Sequence, residues 1–235
     1  MSLIFCLNAA YAFTLDGIVY SDSISSNTVS VSGYTSDLPA AVVIPSEVTY
    51  EGTAYTVAAI DSIAFKDCTS LTSIEIPSSV TRIAVSAFDG CTSLTSAAIP
   101  DGNDVLTIDG KDKSLFNDSP LKEVYLGRNL SYDSSFSPFR DKTELSKITI
   151  GNSVTEIAPY SFTGCTSLES IEIPQNVIEL GWCAFEGCIS LKSFEIPSSV
   201  MRIRNTTFKG CTSLSSLKFS DGNDTIEFTS IKSLC

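Results

Sequence analysis

A phenylalanine recurs along the chain at a nearly fixed interval, and this recurrence limits the fold more than any other feature. Successive members are 23 residues apart, except for one step of 28: Phe65, Phe88, Phe116, Phe139, Phe162, Phe185 and Phe208. The neighbouring residues recur with them, so that residues 76–94 and residues 173–191 share one frame. A period of this length indicates a solenoid, in which each unit buries its apolar side only against the next unit.

Each unit contains the alternation of apolar and polar residues that is typical of a half-buried strand, as in Leu71-x-x-Ile74-x-Ile76-Pro77. Proline cannot continue a hydrogen-bonded ladder, so it ends the strand. Two residues after each phenylalanine only aspartate or glycine occurs, which predicts a left-handed backbone conformation there. The sequence therefore predicts a mainly β, leucine-rich-repeat-like right-handed solenoid with one parallel strand per 23-residue coil and short helical turns.

Three segments are expected. Residues 1–12 hold a short apolar run followed by small residues, which indicates a signal-peptide remnant. Residues 13–58 contain hairpin-like alternation around Asp-Gly and Glu-Gly, which predicts a small antiparallel N-terminal cap. Residues 59–235 form the solenoid of about seven coils, of which the last is incomplete.

An insertion interrupts the period once, and it returns near the end of the chain. The letters Asp-Gly-Asn-Asp at residues 101–104 recur at residues 221–224, which implies a longer repeat of 120 residues. Because an incomplete coil exposes core, we expect residues 225–235 to form an unusual cap, or the end to make an end-to-end contact with a second copy, or the chain to continue.

Composition excludes several classes of function. Acidic residues outnumber basic ones 27 to 15, and the net charge of −12 disfavours nucleic acid as a partner. The chain has no histidine, the usual general base and the commonest nitrogen ligand of metals. No stretch after residue 12 is long and apolar enough for a transmembrane helix. We expect neither a metal nor a cofactor, and no enzymatic activity.

Five cysteines stand three residues after a phenylalanine: Cys68, Cys91, Cys165, Cys188 and Cys211. Stacked coils would bring them close enough for disulfides or a metal, but the favoured interpretation is a ladder of buried thiols. The coils of Phe116 and Phe139 carry Ser119 and Lys142 at this position. Cys183 and Cys235 lie outside the ladder and are predicted to be exposed.

The outward-facing strand positions form the candidate ligand-binding face. Its long side chains are Tyr125, Lys147, Glu172 and Glu195, and the alternative is a solvated sheet that binds nothing. Trp182 is a further candidate, because an exposed tryptophan marks a contact site. Glu172 and Glu195 also have the spacing of a glycosidase carboxylate pair, but a flat sheet offers no pocket, so catalysis is disfavoured.

The pattern Ile-Pro-Ser-Ser-Val-x-x-Ile-x-x-x-Ala-Phe-x-x-Cys-x-Ser-Leu-x-x-Ile-x-Ile-Pro, over residues 44–220, resembles the BspA-like leucine-rich repeat family of Bacteroidales. Members are typically exported, and some bind host extracellular-matrix or plasma proteins. The resemblance implies a bacterial, secreted or cell-surface protein-binding module of the adhesion type, whose partner is an unidentified macromolecule such as a host matrix protein or glycan. Alternatives are a structural spacer or surface-layer component, and a polysaccharide-active enzyme.

Overall fold

The computed structural model describes residues 12–22, 27–110, 114–220 and 227–228. The predicted signal-peptide remnant lies outside these ranges except for Ala12, and so do Cys235 and most of the predicted terminal cap. The described part is a β-solenoid of about eight turns, which confirms the predicted fold class.

The described residues form strands and one short 3-10 helix, at Ser134–Phe136. The strands are β1 (Ala12–Leu15), β2 (Ile18–Asp22), β3 (Thr28–Tyr34), β4 (Ala41–Val43), β5 (Glu47–Tyr50), β6 (Thr53–Ile60), β7 (Ser73–Glu75), β8 (Arg82–Ile83), β9 (Ser96–Ile99), β10 (Leu106–Ile108), β11 (Glu123–Leu126), β12 (Leu130–Tyr132), β13 (Lys147–Ile150), β14 (Glu156–Ile157), β15 (Glu179–Leu180), β16 (Ser193–Ile196), β17 (Arg202–Ile203), β18 (Ser216–Phe219) and β19 (Glu227–Phe228).

The predicted strands form one parallel sheet, which we call the front sheet. Its order is β4-β7-β9-β11-β13, and a separate pair, β16-β18, continues it after a gap. In β11, Val124 and Leu126 are buried, whereas Glu123 and Tyr125 face outward. This alternation is the one that the sequence predicts for a half-buried strand.

A second ladder, which we call the back sheet, runs along the other side of the coils. It contains the order β3-β6-β8-β10-β12, and after a break it continues as β14-β15-β17-β19. Thr107 of β10 pairs with Arg82, and Glu227 of β19 pairs with Arg202. The two arrangements are 120 residues apart, as the longer repeat predicts.

Antiparallel strands begin the described chain, as predicted. β1 pairs with β2, β2 with β3, and β5 with β6. The ring of Phe13 stacks on that of Tyr50, with centroids 4.3 Å apart. β3 and β4 already pair in parallel with β6 and β7, so the antiparallel strands are continuous with the solenoid. The domain boundary at residue 58 stays a prediction.

The phenylalanines of the repeat form one continuous stack through the core. All seven are fully buried. The centroids of successive rings lie between 5.2 and 5.9 Å apart. Tyr34 extends the stack into the antiparallel strands, since its ring lies 6.2 Å from that of Phe65. Each buried phenylalanine contributes on the order of 2 kcal/mol to stability, so the stack is the main axis of the core.

The tight turn of each coil contains the predicted left-handed residue and a second one that the sequence did not indicate. The predicted position has a positive φ at Asp67, Gly90, Asp141, Gly164, Gly187 and Gly210, but not at Asp118. The position two residues before the phenylalanine also has a positive φ, at Ile63, Ser86, Tyr160, Cys183 and Thr206. A left-handed conformation is strained for side chains of these types, so the stacked turns hold the backbone in a conformation that it does not favour.

Two interruptions divide the ladders. The back sheet breaks between β12 and β14, where the side chain of Asn129 replaces the ladder. Its amide nitrogen donates to Thr155 Oγ1 at 2.7 Å, and its oxygen accepts from the Thr155 N–H at 2.9 Å. The front sheet breaks after β13, because residues 171–173, predicted to be a strand, form none.

Strain at the turn can be tested by replacing Ile63, which has a φ of +57° and is 58% exposed. Ile63→Gly should raise the free energy of unfolding by about 1 kcal/mol, because glycine adopts this conformation without a steric penalty. Urea denaturation measures the change. The matched control is Ile189, which is 47% exposed and lacks a positive φ, so Ile189→Gly should lower the free energy of unfolding. Equal losses in both variants would contradict the assignment of strain.

Candidate binding surfaces

Tyr125 and Lys147 lie on the outer face of the front sheet, as predicted, but each already has a partner within the molecule. The hydroxyl of Tyr125 donates to Asp101 Oδ2 at 2.6 Å, and this hydrogen bond raises the pKa of Tyr125. The ammonium of Lys147 forms an ion pair with Glu123, its cross-strand neighbour. Both long side chains are therefore held against the sheet.

Asp101 belongs to the insertion, and the insertion also covers a buried arginine that sequence reasoning missed. Arg128 is fully buried, and its guanidinium donates to the carbonyl oxygens of Ser78 at 2.9 Å and Pro77 at 3.0 Å. Burial lowers the pKa of Arg128. Gly102 packs on its side chain. An insertion placed one coil before an arginine, where another coil has Ser78, was the available signal.

Glu172 and Glu195 do not occupy neighbouring strand positions, so the prediction of a paired carboxylate ladder is wrong. Glu195 lies on β16 and accepts a hydrogen bond from Ser220 Oγ at 3.2 Å, whereas Glu172 lies in the unpaired residues 171–173. A cleft of about 190 Å³ is lined by both residues. A second cleft of about 380 Å³, on the other side of Glu172, separates residues 171–173 from β13.

Two glycines explain which way the front sheet opens. A Cβ on Gly151 would lie 2.7 Å from the Cα of Gly127, and one on Gly127 would lie 2.3 Å from the backbone nitrogen of Asp101. Only glycine permits such close approach of two chains. This contact holds the end of β13 close to β11 and the insertion, and the gap lies on the opposite side of β13.

Trp182 lies away from the four front-sheet candidates, beside the back sheet after β15. It is 52% exposed, and the guanidinium carbon of Arg204 lies 5.8 Å from the centroid of its ring. Glu179 Oε1 accepts a hydrogen bond from Arg204 Nε at 2.5 Å, and Glu179 Oε2 accepts one from Arg202 at 2.9 Å. This contact orders the arginine beside the tryptophan.

Two exposed apolar side chains, Ile178 and Met201, stand next to these charged residues. They precede Glu179 and Arg202 in the chain, and the Met201 N–H donates to the Ile178 carbonyl at 2.9 Å. The sequence analysis did not single them out, although they occupy the same position in neighbouring coils. We refer to Ile178, Trp182, Met201, Arg202 and Arg204 as the Trp182 surface.

The cysteines of the repeat are free and buried. Four donate from Sγ to the carbonyl oxygen of a phenylalanine in the preceding coil: Cys91 to Phe65 at 3.1 Å, Cys165 to Phe139 at 3.3 Å, Cys188 to Phe162 at 3.2 Å and Cys211 to Phe185 at 3.1 Å. The thiols therefore link the coils that the phenylalanine rings stack.

Lys142 occupies a cysteine slot and performs the same hydrogen bonding with a charged group. Its ammonium donates to the carbonyl oxygens of Phe116, Asn117 and Ser119, the latter two at 2.7 and 3.4 Å. Burial lowers the pKa of Lys142 to about 8. The prediction that Cys183 is exposed is wrong, because it is 8% exposed and its Sγ lies 2.8 Å from Thr206 Oγ1.

The described residues contain no cluster of three or more His, Cys, Asp and Glu side chains that could hold a metal ion. Within the same ranges, none of the helical structure has the length and hydropathy that crossing a bilayer requires.

The chain belongs to the BspA type leucine rich repeat family, whose model matches residues 46–137 and 135–235 in six copies. Comparison with curated protein sequences finds no match. Among solved structures, a leucine-rich repeat protein of T. pallidum is 26% identical, with a TM-score of 0.55 over 93% of this chain and 86% of the other. The pneumococcal vaccine antigen PcpA is 18% identical, with a TM-score of 0.51 over 91% of this chain and 65% of that one, and shares the fold.

The thiol ladder predicts a loss of stability at alkaline pH. Burial raises the pKa values of Cys91 and Cys165 to about 12, from an ordinary value of 9.0. Because the folded pKa is the higher one, this stability is complete below pH 9 and is lost as the pH rises towards 12. Each such thiol should lower the free energy of unfolding by about 1.4 kcal/mol per pH unit in this window.

Urea denaturation of Cys91→Ala between pH 8 and 10.5 should show a shallower pH dependence than that of the unmodified chain. Thr207→Val is the control, because it removes a buried hydroxyl that does not titrate. Lys142 has the opposite effect in this window, since its pKa is lowered, but it is common to all three proteins. An unchanged slope in Cys91→Ala would show that this thiol ionises in the folded chain.

Proposed function

We propose that this chain is a bacterial, secreted or cell-surface binding module without catalytic activity, which holds a macromolecular partner through the Trp182 surface. The observation that carries the proposal is an exposed tryptophan beside an ordered arginine and two exposed apolar side chains. Tryptophan, arginine and methionine are enriched in protein interfaces, and tryptophan and arginine supply many of their energetic hot spots.

The Trp182 surface is a better candidate than the outer face of the front sheet. Tyr125 and Lys147 would have to leave Asp101 and Glu123 before they could bind a ligand. Trp182 needs no such exchange, because half of its surface is already open to solvent. Arg204 is held beside the ring by Glu179, so little side-chain entropy is lost when a partner binds.

Membership of the BspA type family and the likeness to a pneumococcal vaccine antigen support an extracellular location. Repeat solenoids of this kind present long, rigid surfaces to other proteins. Absence of catalysis is part of the proposal: the carboxylate of Glu195 is hydrogen-bonded to Ser220, and the clefts beside Glu172 are small. A spacer that binds nothing is the alternative outcome of the test.

The test is binding of the purified chain to immobilised fibronectin, collagen, laminin, fibrinogen and mucin, measured by biolayer interferometry. For whichever partner binds, Trp182→Ala should weaken the affinity by at least 30-fold, on the order of 2 kcal/mol, as for an interface hot spot. Ile63→Ala is the control, because it removes an exposed apolar side chain near the other end of the solenoid.

Tyr125→Phe should leave this binding unchanged, since it removes only a hydroxyl that is bound to Asp101. Binding that survives Trp182→Ala and is lost in Tyr125→Ala would move the site to the front sheet. If no protein or glycan binds at micromolar concentration, the proposal fails and the spacer is favoured.

A further inference from the structure

The gap in the front sheet is a second feature of the surface, separate from the Trp182 surface. It lies between β13 and residues 171–174 and encloses about 380 Å³. Thr149, Ile150, Glu172, Ile173 and Gln175 are among the residues that line it. We call this gap the front-sheet slot. Elsewhere in the front sheet the same repeat positions form continuous parallel ladders, for example between β9 and β11.

The slot exposes the hydrogen-bonding edge of a strand. The N–H groups of Lys147 and Gly151 donate towards β11, to Lys122 at 3.1 Å and Leu126 at 2.7 Å. Alternate residues of a parallel strand turn their backbone groups to opposite neighbours, so the N–H and C=O groups of Ile148 and Ile150 face the slot. No strand of the described residues pairs with them.

The slot is held open by contacts at both of its ends. At one end, the Lys192 N–H donates to the Glu169 carbonyl at 3.1 Å, and the two side chains form an ion pair at 2.6 Å. At the other end, the side-chain amide of Asn176 donates to the Asn152 carbonyl. Residues 171–174 are therefore fixed before and after the slot, and they lie outside the ladder only in between.

The walls of the slot are also held from behind. β13 pairs with β11 over four residues, and β16 pairs with β18 over four residues. A site that exists before its ligand arrives saves the entropy of ordering, which favours binding. An unpaired strand edge between rigid walls is the arrangement that binds a peptide by strand addition.

Charge indicates which extended segment would fit. Glu172 lines the slot on one side and the smaller cleft on the other, and it forms no ion pair with another described residue. Thr149, Asn152 and Gln175 are the neutral polar members of the lining. The net charge of the chain, −12, attracts cationic partners over a longer range.

We propose that the front-sheet slot binds an extended segment of a partner protein by strand addition, with a lysine or arginine of that segment against Glu172. The backbone edge of Ile148 and Ile150 supplies the main-chain hydrogen bonds. The carboxylate of Glu172 supplies the preference for a basic side chain.

The first experiment uses a nine-residue peptide of alternating lysine and valine, measured by fluorescence anisotropy at 0.15 M salt. It should bind with a dissociation constant of about 10–100 μM, and Glu172→Gln should weaken binding about 5-fold to 10-fold. The matched peptides replace lysine by glutamate, or the central valines by proline, which lacks the N–H for a ladder. Equal binding of all three peptides, or no binding of the lysine peptide, would overturn the proposal.

The second experiment closes the slot. Lys147→Cys with Ser170→Cys places thiols across the slot at positions 23 residues apart, and oxidation should abolish peptide binding while reduction restores it. The control, Ser96→Cys with Glu123→Cys, joins register partners across the intact β9-β11 ladder and should bind normally when oxidised. Undiminished binding to the oxidised slot variant would place the peptide elsewhere.

Hydrogen exchange of the unmodified chain tests the same edge without a variant. The lysine peptide should slow exchange of the Ile148 and Ile150 amides and leave that of Val124, within a complete ladder, unchanged. Unaltered exchange at Ile148 and Ile150 would contradict strand addition. A dimer that forms without peptide and disappears when the slot is cross-linked would instead identify a second copy as the occupant.

The slot and the Trp182 surface can fail separately. Trp182→Ala should leave binding of the lysine peptide unchanged, and Glu172→Gln should leave binding at the Trp182 surface unchanged. Loss of peptide binding in Trp182→Ala would show that the peptide does not occupy the slot.

Discussion

The contact of each phenylalanine with the phenylalanine of the next coil is the interaction on which the rest of the structure depends. The rings stack through the centre of the solenoid, and the carbonyl groups of the same residues accept hydrogen bonds from thiols of the following coil. One residue per coil thus links both the side-chain core and the backbone. The stack fixes the relative rotation of the coils, and with it the positions of both sheets and every surface side chain.

A fixed spacing in the sequence was sufficient to predict this part of the fold. The period of 23 residues, the alternation before each proline and the aspartate or glycine after each phenylalanine all report local geometry. The back sheet was less visible, because several of its strands, such as β8 and β15, have two residues and no alternation can be recognised in so few. The second left-handed position carries isoleucine, serine, tyrosine, cysteine and threonine, none of which indicates such a conformation.

The front-sheet slot could not have been predicted from local sequence. Ile171-Glu172-Ile173-Pro174 matches the repeat as well as segments that do form strands, such as Phe194-Glu195-Ile196-Pro197. What differs is the neighbouring coil, whose Gly151 is packed against Gly127 and the insertion. For the same reason Tyr125 was a sound prediction as an outward-facing residue, although its hydrogen bond to Asp101 depends on an insertion 24 residues earlier. Trp182 was correctly identified as a candidate contact, but its position beside the back sheet requires the three-dimensional structure.

The two proposed sites use different kinds of recognition on opposite sheets. The Trp182 surface offers ordered side chains, which suit a folded partner, whereas the front-sheet slot offers backbone groups, which suit an extended one. Both lie in the second half of the solenoid, after the insertion. A regular solenoid has many equivalent positions along its length, and these departures from regularity are what make particular positions distinct.

The most direct measurement of the central claim is the energetic coupling between phenylalanines of neighbouring coils, from double-mutant cycles in urea denaturation. Phe139→Leu combined with Phe162→Leu should show a coupling of about 0.5–1.5 kcal/mol, because their rings stack 5.9 Å apart. Phe88→Leu combined with Phe208→Leu, which removes rings at distant positions in the same stack, should show almost none. A neighbouring pair that is no more coupled than the distant pair would contradict a core built on stacked phenylalanines.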